Sequence, residues 1–69
     1  MQRSEVISSN IKSVGYRDTI LEIEFNNNMI YKYNNVPIDI CKALLQASSV
    51  GKYFNAHIRN KYIGEMINE

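Results

Sequence analysis

Residues 19–25 alternate apolar and acidic side chains, and no other local feature restricts the fold as strongly. Leu21, Ile23 and Phe25 fall on one face of a strand with that period, and Glu22 and Glu24 fall on the other. A second layer must therefore cover the apolar face, while the acidic face is expected to stay in water. Asn26, Asn27 and Asn28 follow, and asparagine tolerates the left-handed backbone of a tight turn. Met29-Ile30-Tyr31-Lys32-Tyr33 then returns as the partner strand. Upstream, Ile11 to Arg17 carries Ile11, Val14 and Tyr16 around Gly15, and reads as a third strand bent by a bulge at the glycine.

The second half changes period. Pro37 suits a first helical position, and Ile38, Cys41, Leu44 and Leu45 line one face of a short helix ending near Ala47. Ser48 and Ser49 are good N-cap residues, because a serine hydroxyl accepts a bond from an orphaned N–H of the first turn. Val50, Tyr53, Phe54, His57, Ile58 and Tyr62 recur at helical spacing, which predicts a second helix from Ser49 or Val50 to about Ile67, fraying at Gly64. Phe54 and Ile58 should be buried toward the sheet. The expectation is an α+β fold in a single domain over residues 1–69: a three-stranded antiparallel β-meander followed by two α-helices packed on one face.

Sixty-nine residues lie near the lower limit for a self-sufficient core. Cys41 is the only cysteine, so the fold has no internal disulfide, and its apolar neighbours mark it as a small buried residue. Self-association would bury more surface, and Ile63, Met66 and Ile67 extend the apolar stripe of the second helix, so a homo-oligomer is expected. The N-terminal residues lead into no apolar run, so no secretory leader is expected, and no run reaches the roughly 18 apolar residues of a membrane span. A cytoplasmic protein is the default reading.

The formal net charge is only +1, but it is unevenly spread. No acidic residue lies between Asp39 and Glu65, while Lys52, Arg59 and Lys61 fall in that interval. On one continuous helix Lys52 and Arg59 stand two turns apart on nearly one side, about 10 Å along the axis, and Lys61 lies far around it. Lys52 and Arg59 would hold a single phosphate, with the planar fork of Arg59 matching two of its oxygens. Tyr31 and Tyr33 share one sheet face and are expected to pack under the helices with their hydroxyls at a groove rim; with Tyr53 they would offer rings or hydroxyls to a ligand.

The remaining groups have structural explanations. His57, the single histidine, reads as a packing or surface residue, and no spacing matches a metal site or a nucleophile with its base. No phosphate-cradling glycine loop occurs among the three glycines. The chain therefore reads as a non-enzymatic binding module, without a cofactor or metal.

The string Tyr16, Leu21-x-Ile23-x-Phe25, Ile30-Tyr31-x-Tyr33, Val36-Pro37, Ala47-Ser48-Ser49-x-Gly51-x-Tyr53-Phe54-Asn55 and Ile58-Arg59-x-x-Tyr62 resembles the KTSC domain. That family takes its name from the C-terminal domain of some lysyl-tRNA synthetases and also occurs as single-domain bacterial and phage proteins. Asn28 stands where members often carry a hairpin glycine. The resemblance implies a small α+β domain and suggests RNA binding, and it brings no catalytic residues. RNA or another phosphate-bearing ligand is the expected partner. Two alternatives stay open: a small inhibitor that docks on a host or defence enzyme through exposed aromatics and arginine, and an oligomer that sequesters a nucleotide-like ligand between subunits.

Overall fold

The structure, a computed structural model, describes residues 3–6, 8 and 10–67. Five strands form one antiparallel sheet in sequence order: β1 (Arg3–Glu5), β2 (Ile11–Arg17), β3 (Ile20–Phe25), β4 (Ile30–Tyr33) and β5 (Gly64–Ile67). Two helices, α1 (Ile38–Gln46) and α2 (Val50–His57), come between β4 and β5. The α+β class, the antiparallel meander and the two helices agree with expectation. Two edge strands were not anticipated, and the helices do not end the chain.

The central hairpin forms for the reasons the alternation gave. Val14 pairs with Ile23 and Tyr16 with Leu21, while Ile23 pairs with Tyr31 and Leu21 with Tyr33. Leu21 and Ile23 are thus fully buried in the core with Val14, Val36, Leu44 and Ile58. Burial of such a side chain stabilises by about 1.5–3 kcal/mol. The β3–β4 turn uses Asn28 at φ 68°, so asparagine does supply the backbone that glycine would. Asn27 Oδ1 accepts from the Met29 N–H at 3.1 Å and fixes the turn. Between β2 and β3, Asp18 and Thr19 both have positive φ, 52° and 65°, giving the two-residue loop the twist a hairpin needs. For β-branched Thr19 that conformation is strained.

Several local expectations are corrected. The irregularity in β2 lies between Ile11 and Ser13, not at Gly15, which pairs regularly with Glu22. Glu22 is only 7 % exposed, so the face away from the helices is not uniformly wet. β3 is the central strand of five, and neighbouring side chains shelter its middle. Pro37 is the N-cap of α1 and not its first turn. Cys41 and Leu44 are buried on that helix, but Ile38 and Leu45 lie at the exposed flank of the stripe.

The largest correction concerns α2. Ser49 caps it as expected, accepting the Lys52 N–H at 3.3 Å. The helix stops at His57, where the N–H groups of Ile58 and Arg59 both bond the Phe54 carbonyl, at 3.0 and 2.9 Å. Phe54 and Ile58 are buried as predicted, and Ile58 anchors the turn that follows. The chain then reverses into β5, which pairs Gly64 with Tyr33 and Met66 with Tyr31. Ile63 and Met66 therefore do not extend a helical stripe; they are 81 % and 53 % exposed.

Gly64 is required by its neighbour. A Cβ there would stand 2.5 Å from Cε2 and 2.8 Å from Cζ of Tyr33, whose ring lies across the glycine. Gly64→Ala must push that ring off its site against Phe54, and should cost about 1–3 kcal/mol, as overpacking does. Urea melts of Gly64→Ala beside exposed Glu65→Ala check this: equal stability would mean that β5 does not sit on β4 in this register.

Candidate functional site

An open cleft of about 590 Å³ lies between the β3–β4 hairpin and α2. Its inner part is aromatic. Phe54 projects from the buried side of α2 and meets Phe25 edge-on at 5.6 Å and Tyr33 at 5.5 Å between ring centroids. Tyr31 stands edge-on to Phe25 at 5.7 Å and stacks beside Tyr33 at 6.5 Å. Phe54 and Tyr33 are buried, at 4 % and 5 % exposure, so they form the floor. Phe25 and Tyr31 are half-buried and form the accessible wall.

The rim is polar and mostly uncharged. Asn10, Asn26, Asn27 and Asn55 bring carboxamides to it, and Arg59 brings the single cation in the lining. The Asn26 N–H donates to the Asn10 carbonyl at 2.9 Å, which ties the turn after β3 to the segment entering β2. Ser8 Oγ shapes that segment by accepting from the N–H groups of Asn10 and Ile11, both at 3.3 Å. Gly51 completes the helix side, buried in the first turn of α2.

The cleft gathers Tyr31, Tyr33 and Arg59 from the residues singled out by sequence. Lys52, Lys61 and Tyr53 lie outside its lining. The expected pairing of Lys52 with Arg59 along one helix side fails because Arg59 lies beyond the helix end. Lys61 is exposed in the turn before β5. Tyr53 is half-buried and packs against the core from outside the cleft, its ring 4.4 Å from that of exposed His57. The tyrosine rings of β4 do pack under the helix as expected, with Tyr33 fully engaged and Tyr31 half-buried.

Sequence reasoning missed Phe25, Gly51 and the asparagines as site residues. The triplet 26–28 was legible only as a turn, and Asn10 and Asn55 reach the same rim through tertiary packing alone. Among the described residues no group of three or more His, Cys, Asp or Glu could hold a metal ion, and no helix is long and apolar enough to cross a membrane.

Comparison with known proteins gives one consistent result. The KTSC domain profile matches residues 7–62. An uncharacterized protein of Stutzerimonas stutzeri (strain A1501) is 42 % identical over 57 residues, covering 80 % of each chain. The crystal structure of a KTSC domain protein from Yersinia pestis superposes with a TM-score of 0.93 at 36 % identity, covering 97 % of both chains.

Burial raises the pKa of the Tyr33 phenol above its ordinary 10.0; neighbouring Tyr31 adds to the rise and Arg59 opposes it. The charged form is the deprotonated one, so the folded state holds its proton more tightly than the unfolded state. The resulting stability is complete below pH 10 and is lost as pH rises past that value. Tyr33→Phe should therefore show a shallower loss of stability above about pH 10 than the parent chain, measured by urea melts across that range. Parallel slopes would mean that the Tyr33 hydroxyl is solvated.

Proposed function

The chain belongs to the KTSC domain family, and we propose that it is a non-enzymatic module that binds single-stranded RNA through the cleft between the β3–β4 hairpin and α2. One observation carries this reading. Arg59 enters a lining whose other members are aromatic rings, carboxamides and small apolar groups, with no carboxylate among them. Unpaired bases can stack on ring faces, carboxamides can meet base edges, and a guanidinium can take a phosphate. Tyr31 offers the accessible ring, while Phe54 and Tyr33 hold the floor rigid.

A charge-assisted arginine–phosphate bond contributes about 1.5–3 kcal/mol, so Arg59→Gln should weaken RNA binding about ten- to a hundredfold. Fluorescence anisotropy of an end-labelled, unstructured RNA reads this, with thermal melts to confirm an unchanged fold. Unaltered affinity in that variant would remove the cleft from the interaction. Failure of the parent chain to bind any RNA would remove the reading itself.

A second reading rests on Ile63 and Met66, which expose apolar surface at the β5 edge and suit a protein partner, including a second copy of this chain. Light scattering over a range of concentrations tests the second copy, and an 8.0 kDa particle throughout would reject it.

A further inference from the structure

We propose that the cleft accommodates one nucleotide and a single phosphate, and that it does not extend into a track for the RNA backbone. This deepens the RNA reading above and rests on it.

The charge distribution carries the inference. Arg59 is the only ionisable cation of the lining, and no carboxylate accompanies it. Every other polar side chain there apart from Tyr31 and Tyr33 is a neutral carboxamide. Carboxamides supply paired donors and acceptors, which suit a base edge or sugar hydroxyls and contribute little to holding a row of phosphates. The lysines that would prolong a phosphate path do not lie along the cleft. Successive helical residues turn by about 100°, so Lys52 is rotated about that far from Gly51, while Phe54 and Asn55 fall within about 60° of it. Lys61 is exposed in the turn beyond α2.

Size and shape agree. A cleft of about 590 Å³ is within the range that encloses one small molecule. The asparagine turn after β3 and the Asn10 segment, joined by the Asn26 N–H to Asn10 carbonyl bond, bound one side of it. A ligand seated on Tyr31 with its phosphate at Arg59 would thus meet this lining with one base, one sugar and one phosphate.

Electrostatic valence gives this a direct readout. Binding to a single strand changes with salt by a slope of about 0.7 per neutralised phosphate. On strands long enough to carry a condensed counterion atmosphere, a site for one phosphate keeps that slope near 0.7, whereas a track steepens it with each added contact.

The experiment is competition by the full chain's potential ligands against a labelled RNA: nucleosides, nucleoside monophosphates, and unstructured strands of increasing length, each across a salt series. Monophosphates should compete within about threefold of long strands per nucleotide, nucleosides about tenfold or more below them, and all the longer strands with one common slope. A Lys52→Gln, Lys61→Gln double variant should leave these affinities unchanged. Slopes of about two or more for long strands, or loss of affinity in the double variant, would overturn the single-phosphate site while leaving RNA binding intact. Nucleosides equal to monophosphates would overturn it as well. Binding by none of these ligands would overturn both this inference and the RNA reading.

Discussion

The edge-on packing of Phe54 against Phe25 and Tyr33 is the contact on which the rest of the molecule depends. It fastens α2 to the sheet, sets the floor of the cleft, and holds the Tyr33 ring in position across Gly64. Edge-to-face pairs add about 0.5–1.5 kcal/mol each beyond the surface they bury, so Phe54 links helix and sheet through two such terms at once. The backbone carbonyl of the same residue also receives the two N–H bonds that end α2. One residue therefore fixes both where the helix lies and where it stops.

That stop is what makes the cleft. Had α2 continued through residue 62, Arg59 would have stayed on its surface in line with Lys52. Breaking the helix at His57 detaches Arg59 from that line and brings it to the aromatic floor, beside Tyr33. The site is thus a product of chain reversal, and a row of helical side chains would not have produced it.

What the sequence reveals, and what it hides, follows from the range of the forces involved. The β3–β4 hairpin is legible because its alternation and its asparagine turn are local. The start of α2 is legible because Ser49 caps within three residues. Its end is not, since Ile58 and Tyr62 continue the helical spacing and only pairing with β4 draws 64–67 into a strand. β1 spans just three residues, too few to show a period. The same division holds for the cleft: Tyr31, Tyr33 and Arg59 advertise their chemistry, but Asn10 and Asn26 are brought together by a backbone bond between distant turns. Glu22 illustrates the opposite failure, because an alternating acidic residue looks solvated until flanking strands surround it.

β5 has a consequence for motion. Three of its four residues are exposed, so backbone bonds to β4 and the Tyr33 ring over Gly64 are nearly its whole attachment. Segments with so little buried apolar contact open at far lower free energy than the core, in local excursions that leave the remainder folded. Each such excursion would uncover the Tyr33 ring from the edge side and loosen the cleft floor from behind. The firmness of the cleft therefore depends in part on a lightly held strand, and anything that clasps that strand would tighten the cleft without touching it.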